Sequence, residues 1–325
     1  MKTDTMQHHL VTTSEEGLRL DRWFRRHFRD VPYSHFANLC RRALVRLDGT
    51  KTQGSIRLKS GQRISMPVFS PDVSAKPRSR LSMSSGLKKQ LHDAVIHQDE
   101  AIIALNKPCG LATQGGSKVT RHLDAYAWIF ADGGEVPRLV HRLDQGTSGV
   151  LLLARNASVA AHLAQQLRNR NIIKTYWALC HGAFMPPQGI IDKPLDDKNK
   201  VKQATTSYVT LKVCDDVSLM ALRPVSGRKH QLRRHCAVLG HPILGETRLF
   251  EGVSRSKHRR LWHTPHKHLH LHARSMTLHH PVSGDIMTLR AEPPAHMMGW
   301  CQPEAYVALD EQAEGHFANL ALCSR

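Results

Sequence analysis

Acidic residues, aromatics and long apolar runs are all scarce in this sequence, and each shortage excludes something. No stretch approaches the roughly 20 consecutive apolar residues that a bilayer-spanning helix needs, so neither a membrane protein nor a membrane partner is expected. The opening MKTDTMQHHLVTTSEEG lacks the basic start and apolar centre of a secretory signal, and its acidic residues argue against a transit peptide; a cytoplasmic location is expected. The cysteines (Cys40, Cys109, Cys180, Cys214, Cys236, Cys301, Cys323) are odd in number, widely spaced and never form C-x-x-C. That pattern speaks against a disulfide framework and against a cysteine zinc site. The shortage of acid matters most: 27 Asp and Glu face 46 Lys and Arg, a net charge of +19. A domain stays in solution with only a few net charges, so this excess points to a polyanionic partner, with nucleic acid ahead of an anionic membrane. The competing explanation is a generally basic proteome.

What is present is enough for a folded protein. With 325 residues the chain is long enough for two domains, and 41% apolar and 22% charged residues match neither a disordered nor a fibrous chain. From residue 17 to 68 the pattern is self-consistent. Leu20, Trp23, Phe24 and Phe28 recur at helical spacing; Pro32 and Ser34 then end that helix and start a second, which turns Phe36, Leu39, Cys40 and Ala43 inward. Between those apolar positions stand eight arginines (Arg19, Arg22, Arg25, Arg26, Arg29, Arg41, Arg42, Arg46) against Asp21 and Asp30, which gives one buried and one cationic face. The alternation after residue 43, with turns at Asp48-Gly49 and Ser60-Gly61, reads as short antiparallel strands.

Residues 69–90 are rich in Ser, Pro, Lys and Arg and read as a flexible basic linker. Apolar runs resume at Leu91 and continue to Pro294, a second domain in which strands outnumber helices. Residues 295–325 form a tail with scattered helical patterning that the sequence alone does not place.

Two segments of the larger domain carry unusual chemistry. In residues 138–155 an apolar strand enters a turn bearing His141, Arg142 and Asp144, passes Gly-Thr-Ser-Gly and leaves as the fully apolar Val150-Leu151-Leu152-Leu153-Ala154. A carboxylate and a guanidinium at the lip of a buried strand can reach a ligand from a rigid scaffold. Asp144 can equally be a turn residue bonding its own backbone, and the local pattern leaves both readings open. The second segment, residues 226–235, gathers Arg228, Lys229, His230, Arg233, Arg234 and His235 where a helix is predicted to begin at Gly227. Cations oppose the helix dipole at that end, so an anion site is favoured over a merely solvated helix start. Tyr176, on the alternating strand from Lys174, is more often core packing than chemistry when judged by pattern alone.

The first domain resembles the S4 RNA-binding domain. The resemblance rests on Arg19-Leu20-Asp21-Arg22-Trp23-Phe24, Arg41-Arg42, Val45-Arg46-Leu47-Asp48-Gly49 and Gly61-Gln62-Arg63-Ile64. Residues 92–294 resemble the RluA-type pseudouridine synthases, in the two-domain bacterial branch that modifies large-subunit ribosomal RNA. The family's H-R-L-D motif stands at His141 to Asp144 and runs on to Ala154, its K-x-Y at Lys174 and Tyr176, and its G-R-x-H-Q-L-R at Gly227 to Arg233. Its G-H-P-I-L-G-D appears as residues 240–246 with Glu246 in place of Asp, Phe250 stands where a Tyr is frequent, and Asn106-Lys107-Pro108 is intact.

These resemblances imply an α+β chain: a small S4-like domain, then a pseudouridine-synthase domain built on a mixed, mostly antiparallel sheet with flanking helices and a basic central cleft. They imply Asp144 as the catalytic carboxylate, Arg233 as its ion-pair partner and Tyr176 as the ring against the uracil. Arg142 is implied as a backbone-facing or base-displacing side chain, and His141, Thr147, Arg228, His230, Gln231 and Lys107 as further substrate contacts. Arg22, Arg26, Arg41 and Arg42 are implied as phosphate contacts. The implied partner is RNA, large-subunit rRNA ahead of tRNA, and the protein is expected to act as a monomer. Moving a uracil from N1 to C5 involves no net redox change, so no cofactor is expected. A noncatalytic RNA-binding assembly factor is the reading from a different class, and retention of Asp144, Tyr176 and Arg233 argues against it. The crowded histidines His263, His266, His268, His270, His272, His279 and His280 have no acidic or cysteine ligand nearby, so no metal is expected; solvated imidazoles adding charge below about pH 6.5 is the reading preferred there.

Overall fold

The computed structural model describes residues 6–28, 31, 33–68, 83–115, 119, 121–197, 200–247, 266–300 and 303–322. Pro32, Arg29, Phe250, His263 and most of the expected linker lie outside them. The chain divides into two compact units, Met1–Leu81 and Ser82–Arg325.

The first unit contains β1 (Met6–Leu10), α1 (Leu20–His27), α2 (Tyr33–Arg41), β2 (Arg46–Leu47), β3 (Thr50–Lys51) and β4 (Arg63–Pro67). Its strands form an antiparallel sheet in the order β1-β4-β2-β3. Leu20, Trp23 and Phe24 of α1 and Phe36 and Leu39 of α2 join Val45, Ile64 and Met66 in one core. Full burial of such a side chain contributes roughly 1.5–3 kcal/mol, so the apolar stripe, not intrinsic propensity, holds two helices of eight and nine residues. Asp48 and Gly49 take positive φ values of 49° and 78° as a two-residue hairpin turn demands, and Asp48 also accepts the backbone N–H of Arg63 at 2.7 Å. Arg22, Arg25, Arg26, Arg41, Arg42 and Arg46 are exposed.

The second unit begins with α3 (Ser85–Asp93), β5 (Val95–Gln98), β6 (Ile102–Lys107), α4 (Leu123–Tyr126), β7 (Arg138–Leu139), β8 (Ser148–Ala154) and α5 (Ala157–Arg168). It continues with β9 (Ile173–His181), β10 (Gln188–Asp192), β11 (Leu195–Asp197), β12 (Lys200–Lys202), β13 (Thr205–Cys214) and β14 (Val217–Pro224). Last come α6 (Gln231–Val238), β15 (Leu271–His279), β16 (Ile286–Arg290), α7 (Ala295–Met298) and α8 (Tyr306–Leu322). A ten-stranded mixed sheet runs β10-β13-β14-β9-β15-β8-β6-β5, with β16 on β15 and β7 on β8. The β15–β8 pair is parallel, and the other pairings in this sheet are antiparallel.

The apolar run of β8 has a direct cause: both faces of the strand are covered. Val150, Leu152 and Ala154 pack with Val159 and Leu163 of α5, while Leu151 and Leu153 pack with Leu91, Leu123 and Tyr126. On β9, Trp177 and Leu179 meet Tyr306, Ala313 and Phe317 of α8, and Ala178 and Cys180 meet Leu232 and Cys236 of α6. Gly149 has φ +107°, and a Cβ there would collide with the Ala273 backbone. Only glycine permits the close β8–β15 approach in that conformation.

Two boundaries differ from the sequence-based expectation. The linker is not extended to residue 90: Ser84 caps Leu87 N at 3.3 Å, and α3 turns Leu91 fully inward, so its apolar anchor recruits the basic residues before it. The described part of the tail, residues 295–300 and 303–322, is not an appendage either, because α8 covers one face of β9 and β13. Its ion pairs reinforce this, with Asp310 bonded to Arg274 at 2.7 Å and Glu314 to Arg223 at 2.5 Å.

Candidate active site

A cleft of about 140 Å³ lies where the β7–β8 loop, the start of β9 and the start of α6 converge. Arg142, Lys174, Arg228, Lys229, His230 and Arg233 line it together with Tyr176, and Asp144 is the one carboxylate among the described lining residues. The sheet brings these groups together: β8 reaches β9 through β15, and α6 packs on the face of β9 that carries Tyr176.

The backbone around Asp144 is held from both sides. Thr113 Oγ1 donates to Leu143 O at 2.7 Å and accepts from Leu143 N at 3.1 Å. Beyond Asp144, Gly110 N donates to Gln145 O at 2.9 Å, and the buried Thr147 donates its N–H to Asp144 O at 3.1 Å. Asp144 is therefore a turn residue and a cleft residue at once, since its carbonyl closes the turn while its carboxylate faces outward.

His230 Nδ1 lies 2.7 Å from Asp144 Oδ2, and Arg233 Nη1 lies 3.6 Å from the same oxygen. With Nδ1 protonated, His230 donates to the carboxylate. Burial pushes the Asp144 carboxyl upward, but the His230 hydrogen bond and the charges of His230, Arg233 and Arg142 outweigh it and leave the group below its ordinary value. Asp144 is thus ionised at neutral pH. His230 has φ 54°, ψ 30°, a left-handed conformation at the residue preceding α6. Such a conformation costs a non-glycine residue about 1–2 kcal/mol, and it aims the ring at Asp144.

Arg233 has its principal partner elsewhere. Its Nε and Nη2 grip Glu246 at 2.5 and 2.6 Å in a buried two-pronged pair. Burial opposes the guanidinium's charge, and Glu246 followed by Asp144 more than restores it. The expected Asp144–Arg233 pair is therefore the longer contact, and His230 takes the short one. Tyr176 on β9 packs between two cores, and burial, reinforced by the Asp144 charge, raises its hydroxyl well above the ordinary value. It stays a neutral phenol.

A family model described as RNA pseudouridylate synthase matches residues 101–238. "Ribosomal large subunit pseudouridine synthase C" of Rickettsia conorii is 30% identical over 296 residues, covering 85% of this chain and 94% of the relative. The protein of the same name from Escherichia coli K12 is 30% identical over 309 residues, covering 90% and 95%. The chain belongs to the RluA-type pseudouridine synthase family. Among solved structures, the human RNA Pseudouridylate Synthase Domain Containing 4 superposes on the synthase with a TM-score of 0.53 at 29% identity, covering 66% of this chain and 93% of that one.

Several residues expected at the substrate do structural work in this synthase. Lys107 is fully buried, and its Nζ donates to Pro108 O and Leu111 O at 2.9 and 2.8 Å and approaches Gln145 O at 3.5 Å. Burial lowers its pKa to about 8, although the neighbouring Cys109 and Asp144 work the other way. Enclosed by carbonyls, it braces the loops flanking Asp144 and cannot reach RNA. His141 lies outside the cleft lining; its Nε2 accepts the Leu152 N–H at 3.0 Å, and burial, with Lys174 adding to it, lowers its pKa to about 3. Gln231 borders the cleft but spends its amide internally. Its Oε1 accepts from Ser226 and Arg228 N, and its Nε2 donates to Thr205 and Thr206.

The helix predicted from Gly227 begins at Gln231, because that side chain holds residues 226–228 as a loop. Arg228 lines the cleft, and its Nε also donates to Gln203 O at 3.0 Å. His235 turns into the core, between Thr206 Oγ1 at 2.9 Å and Lys193 O at 3.1 Å. Arg22, Arg26, Arg41 and Arg42 belong to the first unit. The histidine reading also changes. His272 is buried between Ser148 Oγ at 2.9 Å and Ala291 O at 3.0 Å, and burial lowers the pKa of both His270 and His272 to about 4, so neither adds charge near pH 6.5. Sequence reasoning assigned no role to Thr113 or Glu246; Glu246 stood in a quoted motif, but only the fold reveals its partner.

Proposed function

We propose that the chain isomerises uridines of large-subunit ribosomal RNA to pseudouridine, with Asp144 as the catalytic carboxylate. The observation that carries this reading is a single carboxylate among the described lining residues of a cleft that also gathers Arg142, Lys174, Arg228, Lys229 and Arg233, kept ionised by His230 and Arg233 and flanked by the Tyr176 ring. The reaction breaks the bond between N1 and C1′, turns the uracil, and joins C5 to C1′; the C5 proton leaves and N1 gains one. An ionised, oriented carboxylate supplies the nucleophile or base, and a packed aromatic ring keeps the detached base in place. Tyr176, held as a phenol, serves as that ring and not as an anionic base. Arg142, exposed at the rim, fills the space of the uridine that must leave its stack before Asp144 can reach it.

The relatives named for the ribosomal large subunit support rRNA over tRNA as the substrate. Residues 17–68 serve as an S4-like module whose exposed Arg22, Arg26, Arg41 and Arg42 meet phosphates, a sequence-independent contribution to affinity. Residues 83–322 form the catalytic unit. The described residues that line the cleft all belong to the second unit, and action as a monomer is part of the same proposal. The test is tritium release from RNA labelled at uracil C5, with large-subunit rRNA transcript and tRNA assayed separately beside Asp144→Asn. Release from rRNA by the wild type alone is expected. Release by the variant would remove Asp144 from its role, and release from tRNA alone would replace the substrate.

A further inference from the structure

Beside the cleft lies a groove of about 500 Å³ formed by the end of α5, the turn into β9 and the end of β14. It shares Lys174 and Arg228 with the cleft, so the two are continuous. Its cations are Arg168, Arg170, Lys174, Arg223 and Arg228, and no carboxylate is among the described residues that line it. Arg223 is already engaged by Glu314 at 2.5 Å and stacks over the Phe317 ring at 4.1 Å. Arg168 and Arg170 are exposed and make no ion pair with a described residue. The Lys174 side chain is half-buried and likewise makes no hydrogen bond or ion pair with a described residue.

Arg170 adds an independent observation. It follows α5 at φ 60°, in the left-handed region where glycine costs least and a longer side chain is strained. That conformation belongs to the C-terminal cap of α5, with Asn171 N–H on Gln166 O at 2.9 Å, and it sets the exposed Arg170 beside Arg168 and the half-buried Lys174, a run of cations that matches a row of phosphates better than a solvated turn.

We propose that this groove carries the RNA backbone on one side of the target uridine, with phosphates on Arg168, Arg170 and Lys174. The assignment rests on the reading of the cleft as the uridine site and adds the path by which the strand leaves it. Lys174, common to both cavities, holds the phosphate nearest the flipped nucleotide, while Arg168 and Arg170 hold those further along. The apolar floor of Leu167, Ile172 and Ile173 accommodates sugar edges.

The experiment compares the wild type with Arg168→Gln, with Arg168→Gln combined with Arg170→Gly, and with Lys212→Glu, a charge change on an exposed part of β13 outside the groove. Binding of large-subunit rRNA transcript is measured from 50 to 250 mM salt, alongside tritium release at saturating RNA and thermal unfolding. The double variant should bind about tenfold more weakly, and its slope of log affinity against log salt should shrink by roughly 1 to 2, about 0.9 per lost phosphate contact. Its saturating rate should stay within about twofold, and its melting point should equal or exceed the wild type, because glycine relieves the strained φ. The single variant should show about half the slope change, and Lys212→Glu less than either. Double-variant affinity and slope within twofold of wild type, with the wild type releasing tritium, would overturn the groove assignment. Weakened binding with no release by the wild type would instead remove the substrate reading and leave the groove standing.

Discussion

His230 Nδ1 sits 2.7 Å from Asp144 Oδ2, whereas Arg233 Nη1 stands 3.6 Å from the same oxygen and spends its two shortest bonds on Glu246. The carboxylate is therefore controlled by three residues. His230 touches it directly, Arg233 supplies charge at longer range, and Glu246 fixes Arg233.

Asp144→Asn should abolish tritium release while leaving RNA affinity within a few fold. The amide keeps the shape of the side chain and loses its charge, so binding to the surrounding cations changes little and chemistry stops. Measurable turnover by this variant would remove Asp144 from the reaction.

His230→Gln should slow the reaction about 10- to 100-fold, the cost of roughly 1.5–3 kcal/mol for a hydrogen bond to a charged group. The pH profile separates this from general damage. Asp144 is depressed in the folded protein, so activity should be full above the ordinary carboxylate range and fall only as pH drops through its lowered value. Without His230, burial is less well opposed, and the acid limb should move upward. An unmoved limb would show that His230 does not tune Asp144.

Glu246→Gln leaves Arg233 buried beside a weaker partner, and breaking such a pair typically costs about 3–5 kcal/mol. Urea unfolding should show a loss of this order, with the rate reduced as Arg233 becomes free to turn toward Asp144. Glu246→Asp should recover most of both, because the carboxylate is kept. Equal stability of wild type and Gln variant would mean that the pair does not anchor Arg233.

Lys107→Met should destabilise the protein by about 1–3 kcal/mol by leaving carbonyls unpaired, with RNA affinity unchanged. The folded pKa, about 8, is below the ordinary 10.5, so the unfolded chain holds the extra proton between them and the lysine's contribution to stability rises with pH across that window. The gap between wild type and variant should widen from pH 8 to about 10.5. A large fall in RNA affinity would restore the expectation that Lys107 meets substrate.

Replacing Arg22, Arg26, Arg41 and Arg42 together by Gln should weaken RNA binding at all sequences and reduce the salt slope by up to about 3.6, at 0.9 per phosphate lost. All four side chains are exposed, so the melting point should hardly move. An unchanged slope would mean that this face does not touch RNA.

Much of the scaffold was legible from one dimension, for identifiable reasons. Helical spacing in residues 20–40 and the Asp48-Gly49 turn are local signals, and they predicted α1, α2 and the first hairpin. The unbroken apolar run of β8 marked a buried strand, and the fold shows that both of its faces are covered. Where the reading failed, the deciding contacts exist only in the folded chain. Lys107 was implied as a substrate contact by the resemblance that includes Asn106-Lys107-Pro108, and only the carbonyls of Pro108, Leu111 and Gln145 closing around it made it a brace. The tail was left unplaced because the apolar residues of α8 gain meaning only against Trp177 and Leu179.

The sequence by itself determined the charge, the order of elements and the presence of Asp144, Tyr176 and Arg233 in recognisable settings, since composition, periodicity and motif spacing are properties of neighbours along the chain. Tertiary structure alone decided which of the basic residues meet the carboxylate. His230 and Asp144 lie 86 positions apart, and the 2.7 Å between them depends on the left-handed turn before α6 and the packing of that helix on β9. A hydrogen bond is lost within about half an ångström, a tolerance that residue type and spacing do not specify and that a packed core does.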